Sequence, residues 1–391
     1  MDSTSLALDM ALEDRDKALW IGRLTLTQFR SYDRASLSSD GRPVVLTGPN
    51  GAGKTNLLEA ISLLAPGRGL RRAKLADLSR REGGAPWAVA ARLMTPEGAR
   101  DIGTGAEPAG QNGERERRVV KIDGAVARSQ RALAEISSVV WLTPQMDGLF
   151  REGSAGRRRF LDRLVYAFDP AHAERVKSYE HALRERARVL KFERPDDSWL
   201  GSLEEAMANH GIAVVAARRA LVARLAAACG ETPGPFPRAA LSLVGAVDGW
   251  LDEGLALAAE DRLREALATG RREDALGGGA AVGPHRSDLA VRHLDNDLPA
   301  ELCSTGQQKA LLLSIVLAHA RLLTLDRGHT ALLLLDEVVA HLDSERRAAL
   351  FEALVALGTQ SWLTGTDRGS FAELGQRAQF FQVCDGQVTP A

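Results

Sequence analysis

Cysteine is scarce in this chain. Its three cysteines, Cys229, Cys303 and Cys384, stand far apart along 391 residues. That excludes a disulfide framework and a zinc knuckle, and it fits a reducing cytosol. Aromatic residues make up 5% of the chain, and they do not interleave with its basic clusters, so there is no sign of a stacking groove for single-stranded nucleic acid. Charge of one sign is not in excess either: 50 lysines and arginines meet 51 acids, for a net charge of −1. A polyanion would have to be met by a local patch, not by a global field. No apolar run reaches the roughly 18–20 residues of a membrane helix; the longest, Leu311–Leu317 and Ala331–Leu335, are core-sized. The eight histidines form no ligand-like cluster. Residues 1–18 are acidic and lack the basic start of a secretion signal, so they read as a loose, weakly helical leader.

What is present is the composition of a soluble globular protein, 45% hydrophobic and 26% charged. The length suits one large domain or two ordinary ones. "IGRLTLTQFRSYDRASLSS" alternates as exposed strands do. Further strands are expected at "WAVAARLM", "RRVVKIDG" and "SSVVWLTP", with "TPEGARDIGTGAEPAGQNGERE" as an exposed loop between the first two. Beyond residue 151 the pattern turns helical. Val176, Tyr179, Leu183, Ala187 and Leu190 trace one stripe; Leu200, Leu203, Met207, Val214, Leu221 and Leu225 trace another after the break at "RPDDS". These predict a hairpin of two helices, each about 35–45 Å long at ~1.5 Å per residue, ended by "GETPGPFP". The tail alternates helix and strand, which implies an α/β sheet built from both ends of the chain, with helices inserted between.

"GPNGAGKT", from Gly48 through Pro49, Asn50, Gly51, Ala52 and Gly53 to Lys54 and Thr55, fits the phosphate-binding loop and is followed by Asn56. Its glycines let backbone N–H groups curl around phosphate oxygens, and the next helix offers its positive end to the anion. Lys54 adds a charge on the terminal phosphates of ATP, and the Thr55 hydroxyl is a ligand for Mg²⁺. "ALLLLDE", residues 331–337, places Asp336 at the carboxyl end of a buried strand, where open parallel sheets bind ligands. Asp336 would orient a water on Mg²⁺, and Glu337 would polarise the attacking water. Taken alone, "STGQQ", residues 304–308, is no more than an N-capped core helix.

P-loop, "STGQQ" and "LLLLDEVVAHLD" together resemble the ABC-type ATPases. The resemblance implies that Ser304, Gly306 and Gln307 touch the γ-phosphate of ATP held by a second copy, in a two-fold dimer enclosing two nucleotides. Asp343 resembles the element crossing that seam. Ser304 follows Thr55 by about 250 residues, much further than in membrane-transporter ATPases, which disfavours a transporter subunit and resembles the SMC-like heads of DNA repair. "LTLTQFRSY", "GRGLRR", "REGSAGRRRFLDRL", "GPHRSD" and "LLLDEVVAHLDSERR" narrow the resemblance to the RecF family of bacterial recombination mediators, over residues 20–390.

That family implies an ABC-type ATPase head at 19–164 and 276–391 with a mixed sheet, and a helical arm at 165–275. It implies ATP-dependent dimerisation on double-stranded and gapped DNA and work with RecR and RecO to place RecA on gaps, in the cytoplasm and with no membrane. Arg30 resembles a position that SMC-like heads set near the nucleotide, or is a strand-surface arginine. Gln145 resembles a Q-loop residue reaching Mg²⁺ and the attacking water. His285 and Arg286 read best as a structural turn. Ser287 stands where the family usually has an acid, Thr305 departs from the transporter signature, and Thr366 stands where transporter ATPases carry a switch histidine, which implies slow hydrolysis. Arg68, Arg71, Arg72 and Lys74, and separately Arg157, Arg158 and Arg159, are clusters that would neutralise DNA phosphates without reading bases, or else solvated or acid-paired arginines. The rival to an ATPase is an ATP-sensing scaffold that binds a protein partner without significant hydrolysis.

Overall fold

The strand Val44–Thr47 is buried throughout and lies inside a six-stranded mixed sheet. Its neighbours are Ser361–Gly365 on one side and Gln379–Cys384 on the other, both parallel to it and both from the far end of the chain. Leu332–Leu335 and Val139–Leu142 continue the parallel order beyond Ser361–Gly365, and Gln387–Pro390 closes the opposite edge in antiparallel sense. Every residue of Leu332–Leu335 and Ser361–Gly365 is buried, which is why these strands read as unbroken apolar runs and do not alternate. The last two strands, within "AQFFQVCDGQVTP", were not expected from the sequence.

This sheet belongs to a computed structural model in which residues 18–80, 85–107, 117–191, 197–230, 236–340 and 342–391 are described. The proposed leader, part of "RPDDS" and most of "GETPGPFP" lie outside the described residues. The described chain forms two compact units. One takes its residues from Met1–Met146, Phe236 and Val316–Ala391, the other from Asp147–Pro233 and Pro237–Ile315; the sequence reading sets the arm's junctions at 164/165 and 275/276.

In the first unit an antiparallel sheet runs in the order Tyr32–Ser38, Trp20–Phe29, Ala88–Thr95, Gly98–Glu107, Arg117–Ile122, Ala125–Val126. One face presents Leu24, Leu26, Val89, Leu93, Ile102 and Val120 to a core shared with Leu57, Leu58 and Ile61. Gly98–Glu107 corrects the expected loop. It is polar and rich in glycine, but it is hydrogen-bonded to a strand on each side, and ladder bonds do not depend on side-chain hydrophobicity.

In the second unit the helices His172–Val189 and Asp197–Gly230 pack together as expected, but unequally, with 18 and 34 residues. That is about 27 and 51 Å at ~1.5 Å per residue. The buried face of the shorter helix includes Arg186, which an apolar stripe does not reveal. Arg186 is satisfied by Glu204 at 3.0 Å, Asp274 at 2.7 Å and the Leu267 carbonyl at 2.6 Å. Helices Ser154–Phe168, Ala246–Glu253, Ala256–Thr269 and Arg271–Gly277 and a three-stranded antiparallel sheet of Leu298–Pro299, Asp288–His293 and Ala239–Val244 complete the unit. Helix Thr305–Arg327 is long and apolar enough on average to cross a bilayer, a length the uninterrupted apolar runs did not suggest. Yet 78% of its apolar window is buried within the protein, as in a core helix.

Candidate nucleotide site

The sheet register brings the carboxyl ends of four strands to one edge. Leu335 pairs with Leu142 and Leu363, and Gly365 pairs with Thr47. Gly48–Thr55, Asp336–Glu337, Thr366 and the turn holding Gln145 therefore follow the carboxyl ends of neighbouring strands, with Thr364 the penultimate residue of its own strand. In open α/β sheets, ligands bind at such an edge.

The loop's glycines are dictated by crowding. At Gly48 an added Cβ would sit 2.1 Å from the Val383 carbonyl oxygen. At Gly53, with φ of 111°, it would meet Tyr32 Oη at 2.7 Å and Ser31 Oγ at 2.8 Å. Tyr32 Oη donates to the Gly53 carbonyl at 3.0 Å, and burial pushes its pKa up, which keeps it a donor. Helix Lys54–Ser62 starts at the loop's end. Lys54 Nζ donates to the loop's own Gly48 and Pro49 carbonyls at 2.7 and 2.9 Å. Burial lowers its pKa, against the opposing pull of Glu337 and Asp336.

Thr55 Oγ1 donates to the buried Asp336 carboxylate at 3.0 and 3.1 Å. Thr364, which the sequence reading missed, binds the same carboxylate: its Oγ1 donates to Asp336 Oδ1 at 2.7 Å and accepts the Glu337 N–H at 2.8 Å. It thereby anchors Glu337 in a left-handed backbone with φ of 49°, a conformation that costs ~1–3 kcal/mol and persists only when its surroundings fix it. Two hydroxyls, Ser361 and Thr364, stand on the buried strand "SWLTG", and nothing in the sequence marks which of them meets Asp336. Thr55 and Asp336 present hydroxyl and carboxylate oxygens, the hard donors that Mg²⁺ takes. Gln145, in the short helix Pro144–Gly148, and Thr366, just beyond its strand, are exposed at the same edge.

Arg30 is a junction. It makes a bidentate ion pair with buried Glu59 of the P-loop helix, both bonds 2.8 Å, and donates to the Asp77 carbonyl at 2.6 Å. Arg71 joins Glu59 at 3.3 Å and Asn56 Oδ1 at 2.8 Å, and Asn56 Nδ2 donates to Ser31 Oγ at 3.0 Å. The rest of the first basic cluster, Arg68, Arg72 and Lys74, is exposed, with Arg68 reaching the Ala73 carbonyl at 3.3 Å. Asp343 is the N-cap of helix Ser344–Ala356, accepting the Arg346 N–H at 2.8 Å.

The signature residues belong to the second unit. Ser304 and Gln307 close a reciprocal cap: the Gln307 N–H donates to Ser304 Oγ at 3.3 Å, and the Ser304 N–H to Gln307 Oε1 at 3.0 Å. Ser304 and Thr305 are exposed, and Gly306 lies in the first turn. Arg157 pairs with Asp288, both bonds 2.7 Å, and Arg158 donates to Ser154 Oγ and the Ser287 carbonyl; Arg159 is exposed. His285 joins Tyr179 Oη at 2.7 Å and the Ala280 carbonyl at 2.9 Å, and Arg286 shares that carbonyl, as in a structural turn. Burial lowers the pKa of His285. Ser287, where an acid was expected, is buried and donates to the buried Asp248 carboxylate.

Residues 20–387 match the family model described as "RecF/RecN/SMC N terminal domain". A DNA replication and repair protein RecF from Mesorhizobium japonicum is 52% identical over 95% of this chain and 97% of its own length. Its counterpart from Rhizobium rhizogenes is 50% identical over 95% and 98%. A solved structure of "the recombination mediator protein RecF-ATPrS in RecFOR pathway" shares the fold with a TM-score of 0.82 at 23% identity, covering 96% of this chain and 98% of that one. An Smc head domain derived from Pyrococcus furiosus matches with a TM-score of 0.51 at 16% identity, covering 95% and 96%. With half of its residues shared along almost its whole length, and with the ABC-type head built as described, the chain belongs to the RecF family.

Proposed function

We propose that the chain is an ATP-dependent, DNA-binding recombination mediator of replication and repair. In this reading ATP and Mg²⁺ drive homodimerisation on double-stranded or gapped DNA, slow hydrolysis releases it, and RecR and RecO act with it to place RecA on gaps. The helices of 165–275 serve as the arm of the ATPase head.

One observation carries the reading. Lys54, Thr55, Asp336 and Glu337, drawn from positions almost 300 residues apart, meet at one sheet edge, with Asp336 and Glu337 held by Thr364. Lys54 already donates to two carbonyl oxygens of the loop, and exchanging these for phosphate oxygens keeps its charge satisfied while closing the loop on the anion. Thr55 and Asp336 are the residues that would hold Mg²⁺, which when bound neutralises phosphate charge. Glu337, fixed by its backbone, orients and polarises the attacking water. Gln145 approaches the same phosphates from the neighbouring strand, and Arg30 supports the P-loop helix through Glu59. Ser304, Gly306 and Gln307 close the γ-phosphate from the second copy, with Asp343 beside the seam. Thr366 has no imidazole to relay a proton, consistent with slow turnover. The exposed Arg68, Arg72, Lys74 and Arg159 are the cluster members best placed for phosphates.

Sedimentation with ATP, with ADP and without nucleotide, each with and without duplex DNA, tests the proposal. A dimer with ATP that is lost in Ser304→Arg is expected. A monomer at saturating ATP, with or without DNA, would sink it.

A further inference from the structure

The antiparallel sheet has a second face that no described element covers. Across it, Thr25 sits in register between Ser36 and Ala90, Ala90 opposes Gly103, and Gly103 opposes Lys121. The floor is thus made of hydroxyls, alanine and glycine, with no bulky side chain to hold a ligand off. A shallow groove of about 430 Å³ runs over it. Cations stand at both edges and at one end. Arg34 lies on the outermost strand, Lys121 four strands away, and Arg23 and Arg92 oppose each other in register. Arg23, Arg34, Arg92 and Lys121 are all exposed. Arg34 and Lys121 have no side-chain partner among the described residues.

Two features point to an anionic ligand. Like charges directly opposed across a strand pair are destabilising, and Arg23 against Arg92 is such a pair, relieved on the Arg92 side by the Asp101 carboxylate but leaving Arg23 without an acid among the described residues. The acids beside this face are already engaged: Asp101 by Arg92 at 2.9 Å and Asp33 by Arg80 at 3.4 Å. Four strand spacings of ~4.8 Å put Arg34 and Lys121 about 19 Å apart, which exceeds the ~12 Å width of a major groove. Cations at the two edges therefore reach phosphates on both sides of it. With no aromatic side chain at these positions, stacking of unpaired bases is not offered.

We propose that this sheet face is a docking surface for the phosphate backbone of duplex DNA, separate from the arginine-rich loop at 68–74 and from the nucleotide edge. It rests on the DNA-binding reading above. The contact reads no bases, because Arg23, Arg34 and Lys121 act as charges over a floor without hydrogen-bonding side chains long enough to reach a groove floor.

The test is a triple variant, Arg23→Gln, Arg34→Gln and Lys121→Gln, at exposed positions where folding is undisturbed. Binding of full-length protein to a 30-base-pair duplex is measured with ATP from 50 to 300 mM salt. Each lost phosphate contact removes about 0.9 from the slope of log K against log salt, so the slope should fall by roughly 2–3 and affinity at low salt by about tenfold or more. ATP affinity should be unchanged. If the unsubstituted protein binds duplex and the triple variant binds identically, the sheet-face proposal falls alone. If the unsubstituted protein binds no duplex with ATP, the DNA reading falls and this proposal with it. Unaltered duplex binding with lost binding to polyglutamate would reassign the face to an acidic protein and overturn the proposal as well.

Discussion

Thr364→Val isolates a single hydroxyl at the nucleotide edge. The valine methyl occupies the place of Oγ1, so packing is kept and no cavity opens. Two hydrogen bonds vanish: the 2.7 Å bond to Asp336 Oδ1 and the 2.8 Å bond from the Glu337 N–H. Thr364 is fully buried. A bond to a charged acceptor contributes ~1.5–3 kcal/mol, and a stranded buried N–H costs ~1–3 kcal/mol. Asp336 keeps the Thr55 hydroxyl, which offsets part of the loss, so the net destabilisation is about 3 kcal/mol. At ~2–4 °C per kcal/mol the unfolding midpoint should fall by roughly 6–12 °C. Glu337 also loses the anchor for its left-handed backbone, and in the proposed mechanism its carboxylate no longer aligns the attacking water. A barrier raised by about 3 kcal/mol slows turnover on the order of 100-fold. Nucleotide affinity should stay within a few-fold, because Lys54 and the loop are untouched, and Thr364→Ser should restore most of both losses. Differential scanning calorimetry and single-turnover ATP hydrolysis, run on all three proteins, read the two effects separately. A valine variant with the unsubstituted midpoint and rate would refute the anchoring role.

Other substitutions address neighbouring features. Gly48→Ala should abolish nucleotide binding in equilibrium dialysis, since its Cβ would lie 2.1 Å from the Val383 carbonyl oxygen, a backbone atom that cannot step aside. Glu59→Gln removes the charge shared by Arg30 and Arg71; both arginines are partly solvated, so a loss of about 1–2 kcal/mol in urea unfolding is expected, not the ~3–5 of a fully buried pair. Burial pushes the Asp162 carboxyl up, but hydrogen bonds from His172 and Arg218 outweigh it, and its folded pKa lies below the ordinary aspartate value of 3.8. Its contribution is therefore present above that value and lost as pH falls through the folded pKa. Unfolding midpoints followed from pH 6 to 2.5 should drop more steeply in the unsubstituted protein than in Asp162→Asn. Arg72→Gln combined with Lys74→Gln should lower the salt slope of duplex binding by about 1–2 if the loop contacts phosphates.

The parts of the fold legible in the sequence were those with a strong local signature. "GPNGAGKT" after a buried strand and "LLLLDE" at a strand's end follow patterns that phosphate and magnesium chemistry would impose, and the structure brings the two to one sheet edge. Gly98–Glu107 escaped because its stability comes from ladder bonds to both neighbours and not from an apolar pattern. Arg186 escaped because a helical stripe counts apolar residues, whereas the core here closes around a guanidinium held by Glu204 and Asp274. Thr364 was invisible for a third reason: its partners, Asp336 and Glu337, are reached through the sheet register and not along the chain. The arginine clusters were legible as charge, with acid pairing as the alternative reading, but the sequence did not show which acids pair with them. Arg71 turned out to lean on Glu59, and Arg157 on Asp288.

The placement of Val44–Thr47 between Ser361–Gly365 and Gln379–Cys384 has a consequence for biosynthesis. A ribosome releases the glycine loop long before it releases the two strands that flank the loop's base. Until then the P-loop strand lacks both neighbours, and Gly48 lacks the Val383 backbone against which it packs. Pairing across such a sequence distance closes slowly. Nascent copies that lack these two strands therefore hold no finished base for the loop, and the proposed triphosphate cradle is complete only once both strands have been made.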